Sequence, residues 1–196
     1  MVLTPGKRVT QAEYFAMDEA SEEMLEYYDG IVVTKYRGSK FNHCCISSAL
    51  VGEIGMFLKG SNYHLFYYKL RATTPSGNAY MYPDVTLVTG KTKLKKDCFD
   101  TLTNPSVIIE ITTDATRDLG MGSKFWYSIQ IPTLKEYIVV DSTRHHVAAA
   151  IRQHGDVWQF AVTEDIDSAI TIHTIGMQLQ MKDIYLEMPF SNDINQ

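Results

Sequence analysis

The sequence has no apolar run near the roughly 18 residues that cross a bilayer. Its apolar stretches, Val107-Ile108-Ile109 and Val147-Ala148-Ala149-Ala150-Ile151 among them, are short. A membrane-spanning helix is therefore excluded from the reading, and with it a membrane partner. The first residues, Met1 to Arg8, lack the apolar segment that follows the positive charges of a secretory signal, so the expected location is the cytoplasm. Cysteine is scarce: Cys44, Cys45 and Cys98 cannot all pair, and a bridge between the two neighbours would be strained, which fits reduced thiols. The six prolines and 12 glycines gather into no linker, and no repeat or low-complexity tract divides the chain. One domain over residues 1–196 is expected. Positive charge is also short, 18 Lys and Arg against 23 Asp and Glu, a net charge of -5. The field of the whole chain repels polyanions, so any nucleic-acid contact must rest on a local basic patch.

What is present is a succession of short elements. Thr10 followed three residues later by Glu13 is a capping-box pattern and predicts a helix toward Met17. The β-prone runs 25–28 and 31–36 meet at Asp29-Gly30, a dipeptide that tolerates the positive φ angles of a tight turn, and predict a hairpin. In 42–59, Ile46, Leu50, Ile54 and either Phe57 or Leu58 recur at helical spacing, with Gly60 as a stop. The runs 63–70, 82–88, 107–112 and 137–140 are β-branched or aromatic and predict strands of one sheet. Between the last two, 124–130 fits a short helix, ended before Pro132 because the residue preceding proline avoids the α region. Residues from Val147 through Trp158-Gln159-Phe160 to Ile170-Thr171-Ile172 read as antiparallel strands with a turn at His154-Gly155-Asp156. The fold class is α/β (α+β): a mixed central β-sheet flanked by helices.

Two carboxylates interrupt these apolar strands, Asp84 in Tyr82-Pro83-Asp84-Val85 and Glu110 in Val107-Ile108-Ile109-Glu110-Ile111. A buried ionised carboxylate without a partner costs several kcal/mol, so the pair implies ion pairing, strand-end exposure or a shared cation. Their spacing leaves these open. If the two share a site without a cation they repel, and removing either would stabilise the metal-free fold. Glu26 reads equally as a hairpin surface charge or a third acid of the same cleft. Lys91, Lys93, Lys95 and Lys96 follow the Asp84 strand and form either a solvated loop or a basic rim for the cleft. His43 beside Cys44 and Cys45 lacks the second spaced pair that a zinc site needs, and packing at a helix start is the expected role.

A Pro-Asp at the head of one strand, a strand bearing Glu and then a helical lysine resemble the PD-(D/E)XK nuclease superfamily. Glu26-Tyr27-Tyr28-Asp29-Gly30, His43, Tyr82-Pro83-Asp84, Glu110, Lys124-Phe125 and the block from Ile131-Pro132 to Val140-Asp141 resemble, in order over 8–152, the Uma-two (Uma2) family of restriction-endonuclease-like proteins. The resemblance implies a restriction-endonuclease-like core and a Mg²⁺- or Mn²⁺-dependent endonuclease acting on DNA. It also implies that Asp84 and Glu110 are metal ligands, that Lys124 assists the attacking water, and that Glu26 feeds the same cleft. Hard oxygen ligands suit such ions, which activate water and offset charge on phosphorus.

The sequence departs from the family pattern at three places. Thr112 stands where an E-x-K motif has lysine, Gly120 where an aspartate precedes the helical lysine (Asp118 lies two residues earlier), and Ser128 where a tyrosine follows it. These departures motivate a second reading, a catalytically weak nuclease-fold module for nucleic-acid binding or assembly. Cutting both strands of a duplex needs two sites, which makes a homodimer an expectation from need.

Overall fold

Thr10 closes the first helix from its own side chain. Its Oγ1 accepts from the Glu13 amide while the Glu13 carboxylate accepts from the Thr10 amide, so the reciprocal cap expected from the spacing opens α1, Gln11–Ala20. The computed structural model describes residues 8–35, 40–96, 98–113, 122–186 and 188, without the side chains of Lys40 and Phe99. The variant positions Asp118 and Gly120 lie outside the described residues.

The hairpin forms as read. Strands β1, Leu25–Tyr28, and β2, Ile31–Thr34, pair antiparallel across Asp29 (φ 47°) and Gly30 (φ 90°). A Cβ at residue 30 would come within 2.9 Å of the Arg8 Cβ, so glycine is required there by packing as well as by backbone. Helix α2, Lys40–Phe57, buries Ile46, Leu50 and Ile54, and the open choice at its end falls to Leu58, which is buried while Phe57 is half exposed.

The four strand-prone runs of the middle share one sheet. They are β3 (Tyr63–Tyr67), β6 (Val85–Thr89), β9 (Val107–Thr112) and β10 (Glu136–Asp141). With β11 (Val147–Arg152) and β12 (Trp158–Thr163) they give the order β12-β11-β10-β9-β6-β3, with only β9 and β10 parallel. Two strands are shorter than their runs. Tyr68 and Lys69 take positive φ and end β3, and Pro83, with no N–H to give a ladder, keeps β6 from starting before Val85. A second six-stranded sheet, beyond the one expected, adds β4 (Arg71–Thr73), β5 (Ala79–Met81), β7 (Leu94–Lys95) and β8 (Cys98–Leu102) to the hairpin in the order β2-β1-β5-β4-β8-β7. A β13/β14 pair (Ala169–Ile172, Met177–Gln180) precedes the short helix Met181–Ile184. No helix among the described residues is long and apolar enough to cross a membrane.

Strand alternation in β9 decides what the fold can do. Ile109 and Ile111 join Ile46, Leu50 and Ile54 in the core under α2, whereas Ile108 packs on the opposite face with Tyr137, Val139 and Phe125. Phe125 belongs to α3, Ser123–Ser128, the helix of the β9-to-β10 crossover, and it holds α3 down through edge contacts to Tyr137, Trp158 and Phe160. Glu110 and Thr112 share the Ile108 face by the same period, so Glu110 looks toward α3 from the middle of a buried strand.

Candidate active site

Six ionisable side chains from six segments meet at the α3 side of the sheet: Glu26 from β1, Lys35 just past β2, His43 from α2, Asp84 before β6, Glu110 from β9 and Lys124 from α3. Apart from His43, which keeps a small exposed fraction, all are buried. Asp84 is placed by the sheet's own hydrogen bonding. The β6/β9 ladder ends at the Val85–Ile109 pair, and beyond it the Asp84 Oδ2 accepts the Ile111 amide at 2.8 Å, doing for that N–H what a further β6 carbonyl would have done.

The two ammonium groups divide the three carboxylates. Lys124 Nζ lies 2.7 Å from Glu26 Oε1 and 2.8 Å from Glu110 Oε1, the second an ion pair without hydrogen-bond alignment, and donates to the Tyr82 carbonyl at 3.3 Å. Lys35 Nζ lies 2.9 Å from Asp84 Oδ1 and 3.4 Å from Glu110 Oε2 and also donates to the Tyr82 carbonyl. His43 Nε2 is 3.1 Å from the same Asp84 Oδ1. Glu26 is fixed further by the Tyr82 amide on Oε1 and the Tyr28 hydroxyl on Oε2, each at 2.8 Å. Tyr82 thus serves the cluster through both backbone groups, while its hydroxyl reaches away to Asp18 Oδ2 at 2.6 Å.

The electrostatics sort the three acids. Burial works against ionising each of them, but Lys35 and His43 hold Asp84 well below the usual carboxylate range, and Lys124 and Lys35 bring Glu26 below its ordinary value. Glu110 goes the other way. Burial raises it, Lys124 and Lys35 only partly offset this, and the neighbouring Asp84 and Glu26 charges push it further up. Lys35, despite its burial, is held above the ordinary lysine range chiefly by Asp84, then by Glu110 and Glu26. With all five charged, the cluster carries one negative charge in excess, before any contribution from His43.

The sequence-derived candidates Asp84, Glu110, Lys124 and Glu26 are brought together. The surface-charge reading of Glu26 gives way to a fully paired acid. Lys35 is the residue that sequence reasoning missed, and His43, read there as packing at a helix start, joins the cluster through Asp84. A signal for Lys35 exists in the hairpin register: Glu26 faces Val33, so the residue two past Val33 lies diagonally on the Glu26 side. His43 is more than a packing residue, since its ring contacts Asp84; Cys44 is exposed.

Could a divalent ion be held here? Asp84 Oδ1, Glu110 Oε2 and the Tyr82 carbonyl oxygen all converge on one cationic atom, Lys35 Nζ. Such a set of hard oxygens is what Mg²⁺ or Mn²⁺ prefers, and the chemistry of the donors fits. Among the described residues, no three His, Cys, Asp or Glu side chains are arranged as a ready-made cage. A groove of about 910 Å³ lined by Tyr82 and Met24, but by none of the six cluster side chains, mixes Lys69, Lys95 and Lys96 with Glu19, Glu22 and Glu23.

The chain is 26% identical over 147 residues to the Synechocystis protein named "Uncharacterized protein sll1609", covering 75% of this chain and 82% of that one. It is 24% identical over 186 residues to "Uncharacterized protein slr1290" of the same organism, covering 95% and 96%. A crystal structure from Anabaena variabilis, titled a "putative nuclease belonging to DUF820", superposes with a TM-score of 0.74 at 18% identity over 90% of this chain and 97% of that one, which shows a shared fold. The Uma2 family model, described as "Putative restriction endonuclease", matches residues 11–182. That match takes in every segment that sends a side chain into the cluster, and the chain belongs to the Uma2 family of restriction-endonuclease-like proteins.

Proposed function

We propose that this protein is a divalent-metal-dependent endonuclease that hydrolyses phosphodiester bonds in DNA. The observation that carries the reading is the convergence of Asp84 and Glu110, from neighbouring positions in the main sheet, with a buried lysine on either side of Glu110. Asp84 and Glu110 would hold Mg²⁺ or Mn²⁺. When bound, such an ion supplies Lewis acidity, which lowers the pKa of a water and offsets charge on a phosphate oxygen. Lys124 presents a fixed cation beside Glu110, oriented by Glu26 and by the Tyr82 carbonyl, where it can position an attacking water or the phosphate. Glu26 holds the lysine, and the Tyr82 amide and Tyr28 hydroxyl hold Glu26, so the ammonium has little freedom to wander. We assign residues 1–196 to one such domain acting in the cytoplasm.

Plasmid or oligonucleotide cleavage in Mg²⁺ or Mn²⁺, run beside Asp84→Ala, tests the reading. Cleavage should require the metal and vanish in the variant; metal-independent cutting, or equal cutting by the variant, refutes it. A second reading, a binding module, is favoured by one observation: all three carboxylates of the cluster are already ion-paired within the chain. It predicts DNA affinity with no turnover at any metal concentration.

Both readings need a basic contact surface on a chain of net charge -5. Lys93 and Lys96 are exposed, and Lys96 borders the groove beside Tyr82. Reversing both to Glu should weaken binding to a DNA duplex and lower the slope of log affinity against log salt by about 2, as expected for two lost phosphate contacts. An unchanged slope in the reversed variant means that the loop is merely solvated.

A further inference from the structure

Lys35 has no part in the chemistry assigned to Asp84, Glu110 and Lys124, yet it takes the most central place in the cluster. Its ammonium has three protons, and three acceptors from two segments, the Tyr82-Pro83-Asp84 stretch and β9, surround it: Asp84 Oδ1 at 2.9 Å, Glu110 Oε2 at 3.4 Å and the Tyr82 carbonyl. The side chain is 6% exposed, so its charge is balanced chiefly by these protein oxygens. These acceptors include the oxygens that the proposed function gives to the divalent ion. A buried ammonium and a divalent ion cannot both sit within about 3 Å of the same two carboxylate oxygens, since at that range like charges repel strongly even in a partly screened interior.

We propose that Lys35 is a tethered counter-ion occupying the metal position, so that the protein is self-closed without metal and opens only when a divalent cation displaces the ammonium. This inference rests on the metal-binding reading above. The chain provides a way out for the side chain. Lys35 stands immediately after the last residue of β2, and its amide is pinned to the Met24 carbonyl at 2.8 Å, so the backbone stays while the side chain rotates. Met24 also lines a groove in which Glu19, Glu22 and Glu23 stand with Lys69, Lys95 and Lys96, a polar space of mixed charge that can take a displaced ammonium. Lys124 lies on the other oxygen of Glu110 and is held by Glu26, which leaves it in place during the exchange. The arrangement makes the metal bind by exchange of one cation for another, and it makes the wild-type affinity lower than the ligand set alone would give.

Titration calorimetry with Mn²⁺ on the full chain tests this without reference to cleavage. Lys35→Met, which keeps the stem and loses the charge, should bind Mn²⁺ at least tenfold more tightly than the wild type, and adding Glu110→Gln to it should remove the gain. Lys35→Arg, still cationic, should show no gain. Equal affinity in the wild type and Lys35→Met overturns the counter-ion role and leaves the metal site standing, as does a Lys35→Met protein of unchanged affinity that no longer cleaves. Absence of binding in both proteins overturns the metal reading and this inference with it. Should Lys35→Met fail to fold, the wild type decides by itself: a crystal structure with bound Mn²⁺ must show Nζ withdrawn from Asp84 and Glu110, and an ammonium still bridging them overturns the proposal.

Discussion

Replacing Asp84 with alanine should destabilise the metal-free protein by about 3–5 kcal/mol, the range for breaking a buried ion pair from one side. For a chain of this length that corresponds to a fall in Tm of roughly 10 °C, measurable by thermal unfolding followed by circular dichroism. Alanine leaves the Lys35 ammonium buried with its main counter-charge gone, removes the acceptor of the Ile111 amide, and deprives His43 of its partner. The sequence alone points the other way, because two carboxylates sharing a site repel and the loss of either should relieve the fold. The interposed Lys35 and Lys124 reverse that sign.

The pH dependence gives a second check on the same variant. Asp84 titrates below its unfolded value, so its contribution is complete above about pH 4 and is lost as the pH falls further. The stability gap between wild type and Asp84→Ala should therefore narrow on acidification below pH 4. Glu110 is shifted upward, so its native-state proton is favoured at low pH and its ionisation costs stability as the pH rises above the unfolded value. At neutral pH, Glu110→Gln should accordingly cost less than Asp84→Asn. A Tm unchanged in Asp84→Ala at pH 7 contradicts the ion-pair geometry outright.

The second large effect concerns Lys124. Lys124→Ala should retain Mn²⁺ binding and lower cleavage by at least about 10²-fold, the usual loss when one preorganised charge is taken from a reacting centre. Relocation separates charge from scaffold. Thr112 shares the Glu110 face of β9, and among the described residues its buried Oγ1 has no hydrogen-bond partner, so replacing it loses no bond. A lysine stem of about 6 Å can carry an ammonium from there back to Glu110. Lys124→Ala combined with Thr112→Lys should then recover part of the lost rate in a single-turnover assay. A dead double variant that still folds and binds metal would mean that Lys124 places substrate and that its charge alone is insufficient.

How far the sequence carried depended on whether a signal was local. The Thr10–Glu13 cap, the Asp29-Gly30 turn and the Ile46, Leu50, Ile54 stripe each lie within a few residues and translate directly into α1, the hairpin and α2. Glu110 was visible because a carboxylate inside an apolar run is costly wherever the run goes. The second sheet was not visible: β4 and β5 have three residues each and β7 has two, too few to display an alternation. Lys35 was hidden for a different reason. It stands near the end of a β-prone run as many surface lysines do, and only the pairing of β1 with β2 and the closure of the hairpin onto β9 turn it inward. Cross-strand register is information that a linear reading has to assume.

The separation of the site's parts along the chain bears on how the protein comes to be folded. Glu26 meets Lys124 across a sequence separation of 98, Lys35 meets Glu110 across 75, and His43 meets Asp84 across 41. Contacts of such range close large loops and are made late, after local helices and the hairpin have formed. Until then each of these charges remains in water, where it costs nothing. The cluster is therefore desolvated in one late step that depends on all its partners arriving together, and a chain missing any one of the six segments would stall with an unpaired ion at the sheet. Refolding rates of the site variants should reveal this, with substitutions at Asp84 or Lys124 accelerating unfolding far more than they slow folding.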